Sequence, residues 1–389
     1  MAAITVIKSI SLAVILGLIM LTASACGGLD EETIEKNSSV FENDNIPQEL
    51  ITELQDKKAI VAGELHSSQE HQMLLAALAV ELHQEGELDA VVLDSRHAYS
   101  WIIEDYVRGE LDDGAFLQEI IDNRRSFLQE IREYNQERES EDELIVRSGD
   151  INFQHDQFLS SLQFMRRYIE NGGSLNHFLN QLRSASDREQ VMRNYKEELE
   201  EEELQGAWDR DWNERVMRMI EVELDSREPR EKWQTDYTHA HELREEALKR
   251  IASWNLNENR EILFNYGFNH AQKEHHFGTE KEWLGEFISS NHPISGGASY
   301  NFIVMPLQGQ IRTREGDIEN IDIVTDPPED EIISYSSEVL GEDQPVFINF
   351  AEDFISGEVT FDLHYQQVEA VPGEIYDGII ILPEVSVEN

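Results

Sequence analysis

Four short apolar runs, each closed by a polar cluster and separated by stretches of helical periodicity, constrain this chain more than any other feature. The first is Lys57-Lys58-Ala59-Ile60-Val61-Ala62-Gly63. The second is Asp89-Ala90-Val91-Val92-Leu93, the third Leu144-Ile145-Val146, and the fourth Glu261-Ile262-Leu263-Phe264-Asn265. Runs this short and β-branched, with glycine or polar stops, read as buried strands. Between the first two, residues 67–85 read as a helix: Ser67 or Ser68 supplies the cap, and Leu74, Leu75, Leu78 and Leu82 form one stripe. Tyr99–Val107 and Leu111–Tyr134 are expected to be helical, as is the region near 280–289. A long helical stretch over about 157–254 is expected to break at Gly172-Gly173, Gly206 and Pro229. Later strand-like segments lie at 301–307, 346–350 and 378–382. Strands alternating with helices predict an α/β fold: a mainly parallel sheet with helices on both faces, and the 157–254 stretch as a large helical insertion or cap.

The polar clusters after the strands are where chemistry is expected. Glu64-Leu65-His66 follows the first, Asp94-Ser95-Arg96-His97 the second, Asp150-Ile151-Asn152 the third, and Tyr266-Gly267-Phe268-Asn269-His270 the fourth. Open parallel sheets bind ligands beyond the carboxyl ends of their strands, so parallel order would gather these clusters on one rim. His66 and His270 each follow an apolar strand and a glycine and are the strongest candidates. Asp94 and Asp150 can equally cap helices, and Arg96 can be an ordinary ion-pair partner. His71, His83, His97 and His155 read as surface or satisfied histidines, and His275 and His276 as part of a solvated turn.

The chain has 389 residues and a formal net charge of −48. Such a surface repels phosphate backbones and excludes nucleic acid as a partner. The acidic run Glu197-Glu198 and Glu200 to Glu203 reads as a solvated helix face. At the N-terminus, Lys8 precedes an apolar run from Ile10 to Leu21 and then Ala23-Ser24-Ala25-Cys26. A run of that length is too short to span a bilayer, which takes about 20 residues. The arrangement is that of an export signal over 1–25. It resembles a lipobox, in which Cys26, the only cysteine of the chain, becomes the acylated terminus; an ordinary secretory signal cleaved at Ala25 is the alternative. A lipid on Cys26 would be the sole membrane attachment. Gly27 after the cysteine implies, by resemblance to lipoproteins of two-membrane bacteria, the outer membrane. Residues 26–47 are acidic and poor in apolar side chains, which predicts a flexible tether ahead of a single domain over 48–389.

Gly63-Glu64-Leu65-His66, followed by a helix and Ala90-Val91-Val92-Leu93-Asp94, resembles the opening of the erythromycin esterase-like and ChaN-like superfamily, itself similar to TraB and Tiki proteins. The resemblance continues through Tyr106-Val107-Arg108-Gly109, Ile131-Arg132-Glu133-Tyr134-Asn135, Val146-Arg147-Ser148-Gly149-Asp150, Leu243-Arg244-Glu245-Glu246-Ala247-Leu248, Ile262 to His270, and Tyr376-Asp377-Gly378-Ile379-Ile380. Two departures stand out. Glu64 and His66 are one residue closer than in the esterases' Glu-x-x-His, and Gly267 stands where those enzymes carry a second histidine.

The resemblance implies a hydrolase of the erythromycin esterase-like class acting on a small ester or related substrate. His66 would be the general base and Glu64 its orienting carboxylate. His270 and Arg96 would polarise the carbonyl, with Asp94, Asp150 and Arg244 in support. The ChaN-like branch implies instead a surface protein that binds haem or iron, with Tyr266 and His270 as axial ligands and His66 as an alternative. The Tiki branch implies a peptidase dependent on a divalent metal held by Glu64, His66 and His270. A non-catalytic envelope protein on the same scaffold is a further reading.

Overall fold

A computed structural model of the chain describes residues 31–42, 45–64, 68–112, 124–169, 173–205, 210–257, 260–274, 281–312, 318–322, 344–350, 359–362 and 367–387. Its centre is a nine-stranded mixed sheet. Five parallel pairings build the core from β2 (Ala59–Glu64), β3 (Ala90–Arg96), β4 (Ile145–Asp150), β5 (Ile262–Gly267), β6 (Ser299–Arg312) and β11 (Gly378–Val385). The strand order is β1-β8-β11-β6-β2-β5-β3-β4. The flank is antiparallel: β1 (Ser38–Val40) and β11 pair with β8 (Val346–Asn349), while β7 (Ile318–Asp322) pairs with β6. A separate two-stranded hairpin joins β9 (Val359–Asp362) to β10 (Gln367–Ala370). Neither β7 nor this hairpin is signalled by an apolar run.

Every residue of β2 and β5 is buried. Strands covered on both faces carry continuous apolar runs instead of alternation, and this is why those runs were legible in the sequence. Among the covering helices are α1 (Glu31–Asn37), α2 (Gln48–Leu54), α3 (Gln69–Gln84), α4 (Ser100–Val107) and α5 (Arg125–Asn135). Ser68 caps α3, its side chain accepting a hydrogen bond from the His71 amide. Leu74, Leu75, Leu78 and Leu82 are buried along it, each contributing roughly 1.5–3 kcal/mol of apolar burial.

Five helices separate β4 from β5: α6 (His155–Met165), α7 (Gly173–Ser184), α8 (Arg188–Gln205), α9 (Arg210–Lys232) and α10 (Tyr237–Leu256). In α8, Met192, Tyr195 and Leu199 are buried while Glu197, Glu198 and Glu200 are exposed. The stack of Phe178 on Tyr195, centroids 4.1 Å apart, ties α7 to α8. One expected break does not occur: α9 runs through Pro229 to Lys232. The proline lies in the final turn, so the one backbone hydrogen bond it cannot donate and the carbonyl its ring crowds are both close to the helix end.

The expected tether over 26–47 is also corrected. From Glu31 the chain forms α1 and β1, with Ile34 fully buried and Phe41 at 2% exposure. Two apolar anchors and pairing to β8 are enough to fold a segment whose composition is otherwise that of a linker. Residues 1–30, with Cys26 and the export signal, lie outside the described residues. Among the described residues no helix is long and apolar enough to cross a membrane.

Candidate active site

The strand order decides what meets at the rim. β2 and β3 are consecutive in this core yet not neighbours, because β5 pairs with both. The carboxyl end of β5 therefore lies between Glu64, the last residue of β2, and Asp94 of β3. Crevices at such reversals of strand order are where α/β sheets bind ligands. Two glycines allow the close packing this needs. A Cβ on Gly63 would stand 2.9 Å from Phe268 Cα, in the turn that follows β5. A Cβ on Gly149 would stand 2.0 Å from the Tyr266 hydroxyl.

On the β2 side, Glu64 is buried at 1% exposure. Arg124 grips it with both terminal nitrogens, at 2.5 and 3.0 Å, and donates also to Asn265 Oδ1 at 2.8 Å. His71 Nε2 lies 2.9 Å from Glu64 Oε2. A bidentate guanidinium–carboxylate pair of this kind fixes orientation as well as charge. Glu64 is thus already occupied in holding a guanidinium and an imidazole.

On the β3–β4 side, Arg244 of α10 is the hub. Its Nε and Nη2 each donate at 2.8 Å to the two oxygens of Asp150, and Nη2 reaches Asp94 Oδ1 at 2.9 Å. Its Nη1 lies 3.2 Å from His270 Nε2. Arginine has no acceptor, so that His270 nitrogen is the one bearing the lone pair. The other ring nitrogen, Nδ1, lies 2.7 Å from Glu245 Oε1, and the second oxygen of Glu245 accepts from the Leu284 amide at 3.0 Å. The rings of Trp283 and Tyr266 stand edge-on to His270 at 5.3 and 5.9 Å. Burial pushes the Asp150 carboxyl up to about 6, against the pull of Arg244 and with Asp94 adding to the rise. Arg244, between two carboxylates, is held charged.

Of the residues singled out from sequence, the structure brings Asp94, Asp150, Arg244 and His270 into one cluster, with Glu64 at the neighbouring strand end. It does not bring Arg96. The β3–β4 register shifts between Leu93 and Arg96, and Arg96 ends exposed, apart from either set of contacts. The site's guanidiniums are Arg124 and Arg244. His66 lies outside the described residues, as do His275 and His276.

Tyr266 is fully buried and donates to the Gly149 carbonyl at 2.9 Å. Burial raises its phenol well above the ordinary range, which disfavours the phenolate that an axial haem ligand would supply. Two members of the expected metal set, Glu64 and His270, each face a guanidinium. The described part of that donor set suits a proton or an anion better than a cation. Among the described residues no group of three or more histidine, cysteine or carboxylate side chains is arranged to hold a metal.

Reading the sequence missed Arg124, His71, Asn265, Glu245 and Trp283. His71, expected to be a surface or a satisfied histidine, is the latter: it is 2% exposed and meets Glu64. Its place was visible in retrospect, since positions 71, 74, 75, 78 and 82 share one helix face. Arg244 and Glu245 likewise lie on the buried face that Ala240, Ala247, Leu248 and Ile251 define, and charge on an apolar stripe marks a group with a buried partner.

No protein-family model matches the sequence, and none of the curated proteins matches it. Solved structures do. A point mutant of erythromycin esterase EreC in its open conformation superposes with a TM-score of 0.65 at 14% identity, over 88% of this chain and 94% of that one. This chain has the erythromycin esterase fold. A Bacillus cereus protein shares that fold with a TM-score of 0.71 at 12% identity, over 92% and 97% of the two chains. A succinoglycan biosynthesis protein does so at 0.67 and 11%, again over 92% and 97%.

Proposed function

We propose that the protein is a hydrolase of a small ester or related acyl substrate, with His270 as its general base. The observation that carries this reading is the setting of His270: Glu245 at its Nδ1 and Arg244 marking the lone pair on Nε2. A carboxylate behind an imidazole orients the ring and stabilises the imidazolium that proton abstraction creates. Nε2 would exchange its contact with Arg244 for a water and take a proton from it as the water oxygen bonds to the carbonyl carbon. A guanidinium, Arg124 or Arg244, would receive the charge developing on the carbonyl oxygen. The imidazolium would return the proton to the alkoxide as the carbon–oxygen bond breaks, giving acid and alcohol. His66, two residues beyond Glu64 in the sequence, is the second candidate for proton transfer. The esterase of the same fold makes acyl hydrolysis the first chemistry to test.

A panel of small esters tests this reading. His270→Asn should lower turnover by roughly 10²-fold or more while circular dichroism stays unchanged, the size expected for loss of a general base. Full turnover in folded His270→Asn, with loss in His66→Asn, would move the base to His66. Hydrolysis of no member of the panel would leave the scaffold without its proposed activity.

The place of action proposed is the cell envelope, with the chain anchored by acylated Cys26. Cys26→Ala should abolish acyl labelling and release the protein from membranes. Labelling that persists would remove the anchor from this account.

A further inference from the structure

The chain carries 79 acidic residues against 31 lysines and arginines, yet two pockets invert that ratio, one around Arg188, Arg227 and Arg230 and a second with tryptophan in its wall. The second opens between β4, α4, α9 and α10 and holds about 490 Å³. Five arginines line it, Arg108, Arg147, Arg215, Arg218 and Arg260, against two carboxylates, Glu104 and Glu214. Lysine is absent from the wall. Guanidinium forks match the paired oxygens of carboxylate and phosphate groups, whereas ammonium groups act as point charges. Two tryptophans, Trp101 and Trp254, and Met219 complete the lining and give the pocket an apolar side. The volume lies in the range of small-molecule sites, which combine apolar surface with a few converging polar groups.

We propose that this pocket is a binding site for a small molecule bearing a carboxylate or phosphate group, separate from the rim around Arg244. Neither Arg244 nor Glu64 is among the residues that line it. Several of the arginines already hold carboxylates: Arg147 and Arg108 meet Glu104, Arg215 meets Asp105, and Arg218 meets Glu214. Those pairs set the direction in which the forks are held and do not use up every donor, since each guanidinium offers five. Arg147, for example, donates from Nε to Glu104 at 3.3 Å and from Nη1 to Asn255 at 3.0 Å.

His97 supplies a second, independent observation. It lines the same pocket at 7% exposure, and its Nδ1 has no hydrogen-bond partner among the described residues. A buried polar atom left without a partner costs about 1–3 kcal/mol, and a bound ligand would supply the missing partner. Burial and the nearby Arg218 and Arg147 hold the ring neutral, its pKa lowered to about 3. The imidazole would therefore offer a hydrogen bond without adding charge. The neighbouring pocket around Arg193, Lys196 and Arg250 has no such excess: Glu197, Glu200, Glu221 and Asp225 outnumber its cations.

The test titrates the purified protein with sodium pyrophosphate and, separately, with sodium citrate at low ionic strength. It reads tryptophan fluorescence, since Trp101 and Trp254 lie in the wall, together with calorimetry. Saturable binding of at least one probe is expected, with a dissociation constant below about 1 mM. Pyrophosphate binding alone would assign the site to phosphates, and citrate binding alone to carboxylates. Arg218→Gln and Arg260→Gln, both at partly exposed side chains, should each weaken binding about tenfold or more, as loss of a charge-assisted contact does. Arg250→Gln, which removes the same charge from the neighbouring pocket, should leave affinity within about twofold. Circular dichroism confirms the fold of each variant. The proposal is overturned if neither probe saturates by roughly 10 mM, or if Arg250→Gln weakens binding as much as the pocket variants.

Discussion

Arg124 and Arg244 are both guanidiniums sunk into the same sheet rim, but they are balanced differently. Arg124 faces one carboxylate, Glu64, and an amide, Asn265. Among the described residues that pair carries no net charge. Arg244 faces two carboxylates, Asp94 and Asp150, so its unit carries a surplus negative charge, and Glu245 stands on the far side of His270. Together with burial, that surplus raises the affinity of Asp150 for a proton. The Arg244 half therefore sets a protonatable carboxyl beside the guanidinium that meets His270, whereas the Arg124 half holds its guanidinium against Glu64.

The largest expected effect removes the hub. Arg244→Gln leaves Asp94 and Asp150 buried without their cation, and should cost about 3–5 kcal/mol of stability in urea denaturation. Arg124→Gln leaves Glu64 with His71 still beside it, and should cost less, about 1–3 kcal/mol. Equal losses at the two positions would erase the contrast between the halves.

Acidity separates them next. The Asp150 carboxyl is raised from 3.8 to about 6 in the folded protein. A raised carboxyl stabilises the fold in acid, and that contribution is lost as pH rises through about 6. Activity should run the other way, falling as pH drops through the same range, because a protonated Asp150 loosens its hold on Arg244. Melting temperature and kcat/KM measured across this range should move in opposite directions, and Asp150→Asn should flatten the stability trend. Parallel movement of the two would detach Asp150 from the chemistry. The smallest effect is expected at Arg96: Arg96→Ala should change stability by no more than about 0.5 kcal/mol and leave turnover near normal, as befits an exposed side chain beyond the bulge in β3.

Much of the site was legible from local pattern. Asp94, Asp150 and His270 were marked by their position just past apolar strands, and the rule that parallel sheets work at their carboxyl ends carried them to one rim. The tether was misjudged for the opposite reason. Composition averages over a segment, whereas docking of 31–42 rests on Ile34, Phe41 and the pairing of β1 with β8. His71 was set aside because it sits on a helix and not at a strand end, although the apolar face of α3 pointed it inward towards Glu64.

By itself, then, the sequence determined the α/β class, the parallel core and the rim. Those follow from the length and apolar character of single runs and from the period of the helices between them, and such signals are complete within a few residues. Only the tertiary structure decided which guanidiniums reach the rim. Arg124 and Arg244 arrive from elements 60 and 94 positions away from the carboxylates they hold, Glu64 and Asp150. Their meeting depends on β5 entering between β2 and β3, and on a shift of register that leaves Arg96 outside. Strand order and register are properties of the whole packed sheet, settled by burial of both its faces at once, and no local stretch of chain contains them.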